Sequence, residues 1–462
     1  MKTYLMWAGM VLGGACLLIL LWPREASSPE EDRALAEGRT IITYWDRHTG
    51  HEYDARVDLI EEFNRSQNEV YVRTLAIGPR IEKLLTAISG GAPPDICSME
   101  SSILASLGSQ GCFTPLEDFM SSEPSLNESR FFPHVWKMVS FDGHVWAVPT
   151  TTDSTCLLWN KALFRRAGLD PERPPRTMKE LDEFAAKLTI KEGARIKQIG
   201  FLPWLPWDET TGWGMIFGGT WYDEEKDRVV CGTDPHIIES LRWQQQYAYN
   251  PDRKDNKPYS IDPRWVSAAQ GGGFGAYQSA SNPFYTGMIA MIREGEWQVE
   301  FIRKYAPDLD WGVAALPQPE GAPPVAYSPN AVVDAIPKGS RNIEAAKAFL
   351  RWFYSPRANG GPSPASDYCF AIQNVPPRPE EARQERFIGH PKFSVFVNEV
   401  LTKPAEPFPV IPAAQFLMEE MERQRGRVTA FEATPEEAAM EIEKNTNAQL
   451  DRIRMLQGRR PQ

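Results

Sequence analysis

Apolar positions recur along this chain in two rhythms that alternate. Thr40 to Trp45 alternates at the period of a strand, and Tyr53 to Asn64 then carries Val57, Ile60 and Phe63 at helical spacing. Val70 to Leu75 alternates again. Ile81, Leu84, Leu85 and Ile88 return to the helical period, and Pro94-Asp95-Ile96-Cys97 opens a third strand. Strand and helix in turn predict an open, mostly parallel α/β sheet.

From Phe141 to Thr189 the pattern changes hands without a linker. A strand-like stretch, His144 to Pro149, runs through a polar knot, Thr150 to Ser154, into apolar Cys156 to Trp159 and then a helix. This predicts a crossing from one α/β lobe to another. The following helix opens with a capping box, Thr177 to Glu180, and buries Leu181, Phe184, Ala185 and Leu188. Asn342 is placed to cap a helix with Ala346, Phe349, Leu350 and Phe353 inward. The last helix opens with a second capping box, Thr434 to Glu437, and buries Ile442, Leu450 and Ile453. The stretches Asn250 to Gly275 and Pro356 to Pro364 read as surface loops.

At 462 residues two large lobes fit the length. Before them, Tyr4 to Trp22 is 19 residues without a charge, about 28 Å as a helix and close to one hydrocarbon core. With Lys2 ahead of it and Glu25, Glu30, Glu31 and Asp32 behind, it is read as a transmembrane signal-anchor (residues 1–24), N-terminus inside, followed by a tether (25–39). Lipidation of Cys16 is the rival reading.

A net charge of -11 excludes a nucleic-acid partner, which requires clustered Lys and Arg. The cysteines contain no C-x-x-C, so they read as small buried hydrophobes, with one disulfide such as Cys97 to Cys112 open to them. His48, His51 and Glu52 stand in the order H-x-x-H-E, in a loop, and do not make the helical H-E-x-x-H of a zinc protease. No metal or cofactor is expected. No G-x-S-x-G elbow is present, and none of the 61 acidic residues stands out as a catalytic pair.

Two features point to a binding site instead. A loop after a first strand lies at the carboxyl end of an open sheet, where ligands are held, so Trp45, Asp46, Arg47 and His48 read as a ligand-facing loop. Trp204, Trp207, Trp213 and Trp221 fall close together in a Pro- and Gly-punctuated stretch, out of 15 Trp in the chain, enough for one or two rings to face a ligand.

Five phrases in fixed order then carry a resemblance. They are ITYW with LIEEFN; LLTAISGGAPPDICS; FDGHVWAVP running on to LLWNKALFRRAGLD and PPRTMKELDEFAAKLT; GMIAMIREGEW with DWGVAALPQPEG; and IPKGSRNIEAAKAFLRWFYSP. From Ile41 to Leu456 the chain resembles the family 1 extracellular solute-binding proteins, in their sugar-binding branch. The resemblance implies a type II periplasmic-binding-protein fold: two α/β lobes, a hinge and an interlobe ligand cleft. By the same analogy the lobes are residues 40–149 with 288–335 and residues 150–287 with 336–456, ending in a tail, 457–462. Residues at the crossings then face the cleft, adding Glu100, Asp153, Glu296, Trp297, Tyr327 and Asn330 to the candidates. The implied function is a monomeric, membrane-anchored receptor facing the periplasm or exterior, which gives a mono- or oligosaccharide to ABC permease subunits. A membrane-anchored carbohydrate-active enzyme and a sensor domain are the alternatives.

Overall fold

The computed structural model describes residues 28–79, 81–193, 195–204, 210–271 and 278–458. The expected anchor, Cys16 and Trp207 lie outside the described residues. In chain order the strands that shape the molecule are β1 (Thr40–Asp46), β2 (Val70–Ala76), β3 (Ile96–Glu100), β4 (Val148–Pro149), β5 (Thr155–Asn160), β6 (Met291–Gly295), β7 (Trp311–Ala314) and β8 (Val332–Ala335). One sheet has the order β2-β1-β3-β8-β4 and a second the order β6-β5-β7. β1 runs parallel to β2 and β3, whereas β8 enters antiparallel between β3 and β4.

Each sheet has its own core. Ile42, Tyr44, Val72, Ile96 and Val333 pack with Ile60, Phe63, Phe349 and Phe353 of helices His51–Ser66 and Ile343–Tyr354. Leu157, Leu158, Met291 and Ile292 pack with Phe184, Phe201, Trp213, Trp243 and Phe396 in the second. A third apolar cluster joins Trp221, Ile237 and Leu241 to Leu417, Ile442 and Leu450 of the last two helices, Ala414–Thr429 and Pro435–Leu456.

The chain passes between the sheets three times: at residues 150–154, between β7 and β8, and after helix Pro364–Ile372. This corrects the expected lobe boundaries. Residues 291–314 were assigned to the first lobe, yet β6 and β7 flank β5 antiparallel, with Met291 opposite Trp159 and Gly312 opposite the same residue. The return to the first sheet comes later, at β8, and helix Ile343–Tyr354 packs there rather than in the second lobe.

Local signals held unevenly. At Thr434 the capping box is complete: its hydroxyl accepts the Glu437 amide and the Glu437 carboxylate accepts the Thr434 amide. At Thr177 only half forms, because Glu180 turns to the Arg176 amide and the Arg173 guanidinium. Asn342 precedes its helix without capping it, its amide donating to Asp95 instead. Within the expected loop 250–275 lies a helix, Pro263–Gly271. Cys97, Cys112, Cys156, Cys231 and Cys369 are all free and buried, so the disulfide does not form and the small-hydrophobe reading stands.

Candidate functional site

The loop after β1 is folded back over the end of its sheet. Asp46 is fully buried and accepts from the His48 amide at 2.9 Å and the Ser98 hydroxyl at 3.0 Å, with His48 Nδ1 at 3.2 Å. Burial alone would raise its pKa, but the His48 hydrogen bonds and the His48 and Arg56 charges hold it down at about 2. His48 is also buried, with Nδ1 3.0 Å from the Tyr368 hydroxyl. Both therefore serve the scaffold rather than facing a ligand. Gly50 closes the loop at φ 60, where a side chain would be strained, and starts helix His51–Ser66. What the loop does present is Arg47, whose guanidinium pairs with Glu100 at the carboxyl end of β3 and lies 3.2 Å from His48 Nε2.

Trp45 goes elsewhere. Successive strand residues face opposite sides, so Trp45 shares a face with Thr43 and turns away from Asp46. It lines a surface hollow of about 350 Å³ with Arg73, Pro93 and Arg341.

The three crossings are bonded to one another. Thr152 donates its amide to Val375 O at 2.9 Å, and Asp153 donates its own to Asn330 O at 3.0 Å. The Asn330 side-chain oxygen accepts from the Ser101 hydroxyl at 2.8 Å and the Ser102 amide at 3.0 Å, directly after Glu100. Glu296 is fully buried. Its carboxylate accepts from the Ser154 amide at 2.9 Å and from the Asn374 side chain at 3.1 Å, so it is enclosed by protein donors and not turned to a ligand. Trp297, next to it, lies half-buried across Gly295, where a Cβ would fall 2.2 Å from the ring. Its indole N–H has no hydrogen-bond partner among the described residues.

The tryptophan cluster divides. Trp213 sits in the second core, its N–H donating to Pro203 O at 2.8 Å and its ring centroid 4.7 Å from that of Trp243. Trp221 belongs to the third cluster, its N–H given to Thr211 O at 2.9 Å. Both are packing residues, because ring and N–H are spent inside the protein. Trp204 is buried beneath Arg425. Tyr327, also buried, shares the Arg293 guanidinium with Trp213, at 5.1 and 5.0 Å from the two ring centroids.

Arg47, Glu100, Asp153 and Asn330 thus stand where the sheet ends meet the crossings, Trp297 follows Glu296, which bonds the first of them, and none of the five is fully buried. On either side of them the halves touch: Gln278 donates to Glu52 at 2.8 Å, and Ser106 donates to Pro412 O at 2.6 Å. Sequence reasoning missed Arg56, which lies between Asp46 and Asp334 at 3.5 and 3.6 Å. Its signal was available, since Glu52, Arg56, Ile60 and Phe63 form the buried stripe of their helix. Among the described residues no group of three or more His, Cys, Asp or Glu could hold a metal ion.

Comparison with known proteins agrees with this architecture. A family model described as bacterial extracellular solute-binding protein matches residues 49–360. The sn-glycerol-3-phosphate-binding periplasmic protein UgpB of Escherichia coli (strain K12) is 25% identical over 290 residues, 61% of this chain and 62% of that protein. The match therefore spans less than two thirds of that relative. Among solved structures, CpMnBP1 with mannobiose bound is 26% identical, with a TM-score of 0.74 over 88% of this chain and 100% of that one. The sugar-binding protein MalE of Xanthomonas citri, at 19% identity and a TM-score of 0.70 over 91% of this chain and 99% of that one, shares the fold.

Proposed function

Because the chain belongs to the bacterial extracellular solute-binding protein family, we propose that it captures a carbohydrate between its two sheets and delivers it to an ABC importer. Members of that family bind solutes without transforming them, and the chain is a binder and not an enzyme. The observation that carries the carbohydrate reading is that Glu100, Asp153 and Asn330, none fully buried, stand together at the crossings through the Asp153–Asn330 and Asn330–Ser101 bonds, with the half-buried Trp297 following Glu296 there. Carboxylates and amides bond sugar hydroxyls, and an indole face covers the apolar face of a sugar ring. Contacts from both halves at once favour the closed arrangement, which a permease reads.

Two further points support a sugar. The solved relative at 26% identity holds mannobiose. Glu100 pairs with Arg47, so the positive charge that would attract a phosphate ester is already neutralised by a carboxylate that would repel one. In this proposal Tyr4 to Trp22 tethers the receptor outside the cytoplasm as a monomer; among the described residues no helix is long and apolar enough to cross a membrane.

The test is a thermal-shift panel of mannobiose, other oligosaccharides, monosaccharides and sn-glycerol 3-phosphate. A saturable rise in Tm with one sugar and no product formed is expected, since a ligand at 100 times its Kd adds about 2.7 kcal/mol. No shift with any sugar overturns the carbohydrate reading. A shift with sn-glycerol 3-phosphate alone replaces it with an organophosphate.

A further inference from the structure

Glu296 is a buried acceptor shared by two of the crossings between the sheets. It follows β6 of the second sheet, yet its Oε2 accepts the Ser154 amide of the first crossing at 2.9 Å. Its Oε1 accepts the Asn374 side chain at 3.1 Å and the Val375 amide at 3.4 Å, both in the third crossing. The two crossings are themselves joined beside it through Thr152 and Val375. We propose that Glu296 is a positioning residue of the hinge, a staple that fixes the first and third crossings to the second sheet and governs how freely the halves close.

This rests on the reading of the molecule as a receptor that closes over its ligand. The groups around the staple are the Cys156 thiol on β5, Glu399 of helix Phe393–Thr402 with Lys403 at that helix's end paired to it, Cys369 below Thr150, Asp153 on the first crossing, and His134, which reaches Thr152 at 3.1 Å. Burial pushes the Glu296 carboxyl up to about 8, against the hydrogen bonds that favour its ionised form. Opening the junction would return it to water and an ordinary value. The closed junction therefore binds the proton more tightly than the open one: it is held most firmly below the ordinary carboxyl value and loosens as pH rises from there through about 8.

Amide hydrogen exchange of the full-length protein tests this without any ligand. Glutamine keeps one acceptor oxygen and puts an NH2 with two N–H donors in place of the other, where the site supplies three donors, so Glu296→Gln must leave one crossing unpaired. Protection at Ser154 or Val375 is expected to fall about 10-fold or more, with helix Pro435–Leu456 unchanged. In the unmutated protein, protection at both amides, corrected for intrinsic rate, falls from pH 6 to 8, and in Glu296→Gln it is flat. Asn374→Ala, which removes one donor and keeps the carboxyl, gives a smaller loss confined to residues 373–378, and it decides the question should Glu296→Gln not fold. Unchanged exchange at these amides, or a loss spread evenly over the chain, overturns the staple. A protein that binds no sugar but shows the local loss removes the carbohydrate reading and leaves the staple standing.

Discussion

Behind β1 the centre of the molecule is a salt cluster, Arg56 between Asp46 and Asp334, whereas behind β5 it is a stack of rings, Phe201, Trp213, Trp243 and Tyr247. The rings pack on one another, and their polar atoms are met locally, Trp213 by Pro203 O and Trp243 and Tyr247 by the Asp182 carboxylate. The cluster is directional: Asp334 accepts from the Tyr44 and Tyr354 hydroxyls at 2.7 Å each, and Tyr354 meets Thr150 of the first crossing at 2.6 Å. At its other end Asp46 holds His48 beside Arg47. One buried network thus runs from the loop after β1 to the first crossing, whereas in the second half the buried Glu296 bonds the crossings apart from the rings. The difference teaches that the first half is built to hold loop and hinge in register, and the second to be a firm platform.

Removing the centre of each half separates the two designs. Arg56→Ala leaves two buried carboxylates without their cation and is expected to cost about 3–5 kcal/mol at pH 7, measured by urea denaturation. Burial already raises the Asp334 carboxyl, and the Arg56 charge does most to lower it. Without Arg56 both carboxyls take up protons more readily in the folded state, so the deficit relative to the unmutated protein shrinks at pH 5. Trp213→Ala opens a cavity at about 3–5 kcal/mol, and its deficit is the same at both pH values. Equal pH responses in the two variants would erase the contrast.

Smaller changes sharpen it. Asp46→Asn is expected to remove about 2 kcal/mol, the worth of holding its pKa at about 2 instead of 3.8. A depressed carboxyl stabilises above its unfolded pKa, so the loss is full at pH 7 and disappears as pH falls through 3.8 towards 2. Thr434→Ala, far from either centre, removes a complete capping box and should cost about 1 kcal/mol with no effect on ligand binding.

Much of this fold was legible. β1 and β2 sit where alternation put them, β3 and β5 where the Pro-Asp opening and the apolar stretch did, and Leu181, Phe184, Ala185, Leu188, Phe349 and Phe353 are the inward faces that helical spacing chose. The crossing at Thr150 to Ser154 was equally visible as a polar break between apolar strands. The assignment of β6 and β7 was not, because antiparallel pairing across more than a hundred residues leaves no local mark on either strand. Asp46 was placed by its strand end and Glu296 by the analogy that residues at the crossings face the cleft, and only the position of Ser98, His48, Ser154 and Asn374 shows that protein donors already fill both. Trp213 and Trp221 misled because an indole packs as readily as it binds, and the carbonyls of Pro203 and Thr211 decide between the two.

The most direct measurement is an isothermal titration of the sugar giving the largest thermal shift into the unmutated protein, Trp297→Ala, Asn330→Ala and Trp221→Phe. The proposal predicts one site per chain, affinity lowered at least 10-fold by losing the Trp297 face or the Asn330 amide, and affinity unchanged by Trp221→Phe. Binding that survives both Trp297→Ala and Asn330→Ala intact, or that fails in the Trp221 variant alone, would contradict a site at the crossings.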